Sequence, residues 1–228
     1  MKLSKSAVIA SLVALAATQA AVAGVVTSAA GITNGVNVTM PVEEYQGLGP
    51  IAFGPGNSIT WSSNYTSPIG DDSVFGFNED YGFGTNGPWN YNTNNGPIVM
   101  AALNISGGDY AMTFDFADPV SGFGGFMNYA PNKGTAVFSA YDSSNTLIET
   151  YDLTFSTGGA FNSGQFIGFQ DSSNDISYVT LADAYVGIAD IVESSTSSSV
   201  PDTASTALLL GFASLALIAG AKRQAKSA

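Results

Sequence analysis

Apolar and polar positions alternate along most of the second half of this chain. Residues 111–116 place Met112, Phe114 and Phe116 on one side and Ala111, Thr113 and Asp115 on the other. A period of two is that of a β-strand with one buried face. Residues 121–129 form a Gly-rich strand whose bulky members are Phe123, Phe126 and Tyr129. Residues 135–142 alternate again, with Ala136, Phe138 and Ala140 in step. Residues 147–155 set Leu147, Glu149, Tyr151, Leu153 and Phe155 on one face. Strands over 165–169, 176–182 and 185–192 complete the series. Pro131-Asn132-Lys133-Gly134 and Asp142-Ser143-Ser144-Asn145 are turns. Turns recur every ~8–12 residues and no helical period competes, which predicts an all-β fold, an antiparallel β-sandwich or jelly roll.

The first half reads differently. Residues 24–40 are small and polar, with one strand expected over 35–40. Residues 41–97 are dense in Gly, Asn and aromatic residues, as in Trp61-Ser62-Ser63-Asn64-Tyr65 and in the stretch from Tyr81 to Tyr91. Gly and Asn supply positive-φ turns, and the rings supply area to bury. Long ordered loops with short strands are expected there. Residues 24–193 thus form one domain of loops (24–97) and main strands (98–193), long enough for a real core.

Both ends carry a different pattern. Lys2 and Lys5 precede an apolar run over residues 6–17, and Ala21-Val22-Ala23 offers small residues before Gly24. This reads as a signal peptide, residues 1–23, cut ahead of Gly24. At the other end a Ser/Thr linker, residues 194–199, leads to Val200-Pro201-Asp202-Thr203. The 18 residues from Ala204 to Ala221 carry no charge. As a helix they span ~27 Å, close to a hydrocarbon core of ~30 Å, so a transmembrane helix is expected. Lys222, Arg223 and Lys226 follow as a basic membrane stop that stays in the cytoplasm.

The run from Val200 to Gly211, the apolar segment and the basic end together resemble a PEP-CTERM-type sorting signal of Gram-negative bacteria. The variant beginning Val-Pro-Asp-Ser-Gly is nearest, with Thr203 and Ala204 standing where it has Ser and Gly. The resemblance implies export, processing near Pro201 by an exosortase-type enzyme, and attachment to the surface or release into extracellular polysaccharide. Val200-Pro201-Asp202-Thr203-Ala204 is also similar to a degenerate LPxTG sortase motif, which would imply a wall-anchored protein ending at Thr203. Within the domain, Phe123-Gly124-Gly125-Phe126, Ala140-Tyr141-Asp142-Ser143 and Phe166-Ile167-Gly168-Phe169 look like the β-sandwich of many PEP-CTERM exported proteins. Ile188-Ala189-Asp190-Ile191 resembles the Ile-Asp-Asp-Ile ending of galactose-binding-like jelly rolls, with Ala189 in place of the first Asp.

Charge narrows the function. Residues 24–199 hold 17 acidic residues and one basic residue, Lys133, for a net charge of −16. Such a domain does not suit nucleic acid or an anionic lipid surface, both of which need Lys and Arg. The chain has no Cys and no His. Thiolate and imidazole metal sites are excluded, as are Ser-His-Asp and Cys-His catalysis. Carboxylate chemistry is what remains, and Glu43, Glu44, Glu79 and Glu149 are its candidates for a glycosidase pair.

Two binding readings stand beside these. Trp61, Trp89 and Tyr91, with Tyr65 near them, sit among Asn residues in expected loops and are candidates for a sugar-stacking platform; loop packing is the plainer role. Asp171, Asp175, Asp183 and Asp190, with Asn174, offer the oxygen ligands calcium prefers, although their spacing is not that of an EF-hand. Asp71, Asp72, Glu79 and Asp80 form a second acidic group, and solvated turns are the plainer role of both. No cofactor is required. The expectation is an exported, non-enzymatic surface or matrix protein with a structural or adhesive role in a biofilm. The alternative is a carbohydrate-binding module, calcium-dependent or not.

Overall fold

A computed structural model describes residues 23–42, 45–65, 73–77, 81–89, 99–103, 109–182 and 185–194. Among them lie sixteen strands. The first eight are β1 (Gly24–Val26), β2 (Gly35–Val38), β3 (Tyr45–Gln46), β4 (Ile51–Phe53), β5 (Ile59–Ser63), β6 (Val74–Phe77), β7 (Tyr81–Gly82) and β8 (Pro88–Trp89). The rest are β9 (Met100–Leu103), β10 (Ala111–Val120), β11 (Gly122–Tyr129), β12 (Val137–Tyr141), β13 (Leu147–Asp152), β14 (Gln165–Gln170), β15 (Ile176–Ala182) and β16 (Val186–Ser194). One sheet runs β1-β14-β11-β16-β9-β6-β3 with β2 also beside β16; a second runs β13-β12-β15-β10-β5-β4; β7 and β8 form a small hairpin. The named strands pair antiparallel throughout the two large sheets, as the alternating pattern requires.

The two sheets face each other across one apolar layer. Met112, Phe114, Phe138, Ala140, Val179 and Leu181 from one sheet and Phe123, Met127, Ile167, Phe169, Ile188 and Ile191 from the other belong to the same buried cluster. Rings bridge the sheets. Phe138 stacks on Phe169 with centroids 4.3 Å apart and planes 11° from parallel. Phe114 meets Phe123 at 5.5 Å, and Phe53 meets Phe75 at 5.0 Å. Such ring pairs add ~0.5–1.5 kcal/mol each beyond the area they bury.

The strand expectations over 98–193 agree with the observed elements, with one exception on a face. Leu147 is half exposed, whereas Ile148 packs on the core. The reason is a bulge: Ala140 pairs with Glu149 but Tyr141 pairs with Leu147, so Ile148 is an extra residue and the alternation slips by one. Residues 24–97 are also more than a loop-rich annex. β5 pairs with β10 from Ile59 to Ser63, and β6 pairs with β9, so this half supplies strands to both sheets. The expected signal helix and transmembrane helix lie outside the described residues. Among the described residues no helix is long and apolar enough to cross a membrane.

Glycine fixes how closely β11 and β14 approach. Gly124 stands opposite Gly168. A Cβ on Gly124 would lie 2.6 Å from the Gly168 Cα and 2.7 Å from the Ile167 carbonyl oxygen, both backbone atoms that cannot swing aside. Gly124→Ala is expected to cost about 1–3 kcal/mol in urea unfolding. Gly82→Ala, where an added Cβ meets nothing within 4 Å, should change stability far less. Equal effects of the two would contradict this packing. Phe138→Ala removes the ring stacked on Phe169 and should cost about 3–5 kcal/mol by the same measurement.

Candidate functional site

The two tryptophans are placed against the sugar-platform expectation. Trp61 is not in a loop but on β5, facing inward, and it is fully buried with its ring 5.2 Å from that of Phe75. Trp89 is also fully buried, at the centre of a second cluster with Tyr81, Phe83, Met100 and Ala102. Phe83 contacts it edge-on at 5.1 Å. A sugar needs an exposed ring face, so neither tryptophan forms a platform. Tyr65 is half-buried against Tyr110 at 4.8 Å, and Tyr91 lies outside the described residues. These rings fell in polar sequence because residues 81–89 fold their aromatics inward around a turn, which no strand or helix period reveals.

The acidic residues separate into distinct places. Asp171 and Asp175 bracket the turn from β14 to β15. Asp190 lies on β16 at a different cleft, and Asp183 lies outside the described residues. Among the described residues no three acidic side chains stand close enough to share a metal ion. Of the expected four aspartates, Asp171 and Asp175 thus share one turn while Asp190 lies at another cleft. Of the glycosidase candidates, Glu149 is on the outer strand β13, while Glu43, Glu44 and Glu79 lie outside the described residues. Asp71, Asp72 and Asp80 do so as well.

Asp190 occupies a fork in the sheet. One edge of β16 pairs with β9 from Val186 to Ala189 and with β2 from Ile191 to Ser194. Asp190 is the residue between, and its φ is +46°. On the other edge the register with β11 slips between Gly124 and Phe126. Asp190 thus sits in a bulge with left-handed backbone, a conformation that costs a non-glycine residue free energy. It lines a cleft of about 410 Å³ with Asn37, Thr39, Met40 and Val99. Burial pushes its carboxyl above the usual aspartate range.

A second cavity, of about 550 Å³, opens at the end of the sandwich. It exists because β10 leaves β15 between Asp115 and Val120, so that Ser177 has no regular partner there. Pro119, Asp142, Asp171, Asn174, Asp175 and Ser177 line it. Asp142 caps its own turn: its Oδ1 accepts the amides of Ser144 and Thr146, both at 2.8 Å. The Thr146 amide above all, helped by the Ser144 amide and the Thr146 hydroxyl, outweighs desolvation and holds the Asp142 carboxyl below its usual range. Asp175 accepts the Ser173 hydroxyl at 2.6 Å. Asp171 is 3 % exposed, and its Oδ2 has no hydrogen-bond partner among the described residues.

Glu193 was not singled out by sequence, being one acid at the end of an apolar strand. It is buried on β16 opposite Phe123 and Val36, and the Ser58 hydroxyl donates to its Oε2 at 3.3 Å. Burial raises its carboxyl above the usual glutamate range, and Ser58 offsets part of that. The expected residues at the two ends, Ala21 and everything from Val200 through Thr203 to Lys222, Arg223 and Lys226, lie outside the described residues. Ala23 is buried, and Gly24 opens β1 as the partner of Gln170.

Comparison with known proteins gives no match to a family model, to a curated protein or to a solved structure.

Two measurements test these placements. Both tryptophans of the chain are buried, so emission should be blue-shifted, insensitive to iodide and unchanged by added glycans; strong iodide quenching would contradict the burial. The raised acids set a pH trend. Between the ordinary carboxyl pKa and the raised values of Glu193, Asp190 and Asp115, the folded state binds more protons than the unfolded. Stability contributed by these groups is therefore greatest below that window and is lost as pH rises through it. Glu193→Gln is expected to raise Tm at pH 7 and to flatten its rise toward mild acid. An unchanged pH slope would remove Glu193 from the account.

Proposed function

We propose that this chain is an exported protein, sorted through its C-terminal segment to the surface or extracellular polysaccharide matrix of a Gram-negative bacterium. There its β-sandwich has a structural or adhesive, non-enzymatic role. The three-part pattern of Val200-Pro201-Asp202-Thr203, the uncharged 18 residues from Ala204 to Ala221, and the basic end carries this reading. The order dictates the mechanism. The apolar segment halts in the membrane, the basic residues hold on the cytoplasmic side, and the motif is presented to a processing enzyme on the far side. The Ser/Thr run ahead of Val200 gives that enzyme room.

The domain supports the reading in two ways. Its net charge of −16 favours solubility and mutual repulsion in a crowded matrix. Its last strand, β16, is a central strand flanked by β11 on one edge and by β9 and β2 on the other. Ser194 at its end is buried, and its Oγ accepts the amides of Ser121 and Gly122, both at 3.0 Å. A tether leaving from a strand paired on both edges distributes pull across the sheet, whereas an edge strand would peel. This suits a domain held by its C-terminal side. The jelly-roll type remains part of this proposal and rests on the resemblance of residues 188–191.

The mass of the mature protein decides the matter. Loss of residues 1–23 and of the apolar segment from Leu208 to Leu217 is expected, with Pro201→Ala leaving an unprocessed form in the cytoplasmic membrane. A product ending at Thr203 would instead favour a sortase. A mature chain that keeps the apolar segment, or one that fractionates with the cytoplasm, would overturn the proposal.

A further inference from the structure

The cavity beside Asp171 is lined by acids and hydroxyls with no basic residue among its lining. Asp171 is almost wholly buried, yet one of its carboxylate oxygens has no partner among the described residues. Its Oδ1 receives only long contacts, 3.4 Å from the Ser173 amide and 3.5 Å from the Ser172 hydroxyl. An ionised oxygen buried without a partner is costly. The Ser177 Oγ, which lines the same cavity, is buried and unpartnered as well. Lys133 is the one basic residue between Gly24 and Ser199; it is exposed and does not line the cavity. Gly24, whose amine a cut after Ala23 would free, pairs with Gln170 but does not line it either.

We propose that this cavity binds a divalent cation of the calcium type, with Asp171 at its floor, Ser177 on its wall and Asp175 and Asp142 at its rim. Every polar side chain that lines it offers oxygen, from carboxylate, amide or hydroxyl. That donor set is the one hard cations select, and calcium accepts hydroxyl, amide and water oxygens beside carboxylates in a shell of ~6–8. Because three acids do not converge on one point, water completes the shell and the affinity is modest, in the range of ~10⁻⁴–10⁻³ M found for extracellular modules. The absence of an exposed aromatic ring among the lining residues argues against a sugar as the occupant. The ion joins three parts of the fold: the β14–β15 turn, the β12–β13 turn and the bulge of β10.

Thermal unfolding and calorimetry of the full-length chain test this with calcium chloride, magnesium chloride and EDTA. Ten millimolar calcium is expected to raise Tm by about 3–6 °C over EDTA, from the mass-action gain at roughly tenfold saturation. Magnesium, which demands smaller and more regular geometry, should do much less. Asp171→Asn keeps the shape and removes the charge, and it should abolish the calcium shift while leaving Tm in EDTA unchanged or higher. Asp190→Asn, at the other cleft, should retain the shift. No calcium shift in the wild-type chain, or an equal shift in Asp171→Asn, would overturn the proposal. If Asp171→Asn does not fold, Ser177→Ala and Asp175→Asn decide: a reduced shift in either supports the site, and an undiminished shift in both overturns it.

Discussion

The whole domain depends on the layer of rings and branched side chains pressed between its two sheets. The chain has no disulfide to close loops, and its acids greatly outnumber its bases. Mutual repulsion of a net −16 domain opposes compaction. Hydrophobic burial must exceed both that repulsion and the ordering entropy. The means are visible: Phe114, Phe123, Phe138 and Phe169 interlock across the gap, and Trp61 and Phe75 extend the layer toward the β4–β5 side. The same need explains where the tryptophans go. A domain that relies on buried area cannot leave its two largest side chains outside.

How much of this was legible follows from the kind of signal each part carried. Strand β10 was readable because its first half buries one face, so Met112, Phe114 and Phe116 repeat at period two. The face of β13 was misread because a single extra residue, Ile148, shifts the period and leaves no trace in composition. In the first half, β5 does alternate, with Ile59 and Trp61 buried. Its Ser and Asn neighbours resembled a loop, however, and outweighed a five-residue pattern. Tyr81, Phe83 and Trp89 converge only because the chain turns between them, and that is tertiary information. The acidic turn at Asp171 to Asp175 was legible as a turn. That Asp190 belongs elsewhere depends on the fork in β16, which the sequence marks only by a polar residue inside an apolar run.

Partly desolvated acids form a second theme. Asp115, Asp190 and Glu193 all have their carboxyls raised, and desolvation is the leading cause in each case. Among the described residues none has a basic partner, and the one basic residue there, Lys133, is exposed. In a chain with more lysine or arginine, the same positions would recruit ion pairs. The Ser58 hydroxyl offsets part of this desolvation at Glu193. At Asp171 one buried carboxylate oxygen has no hydrogen-bond partner among the described residues, and this is where the proposed cation would act.

That last group lies near the end of β16, from which the proposed attachment would leave. The Asp171 amide donates to the Ser121 carbonyl at 2.6 Å, and the Ser121 amide donates to the Ser194 hydroxyl at 3.0 Å. One residue, Ser121 at the corner between β10 and β11, thus links the Asp171 side of the acidic cavity to the end of β16. The chain continues from Ser194 through the Ser/Thr run toward Val200. An ion drawing the β12–β13 and β14–β15 turns together would hold Ser121 in place and, with it, the buried Ser194 at the end of β16. Stiffness at that corner sets how pull on the C-terminal side enters the sheet: with Ser194 latched, load passes to β11, β9 and β2 together; with it loose, β16 begins to unzip from one end. The acidic end of the sandwich and its proposed attachment thereby share a single mechanical junction.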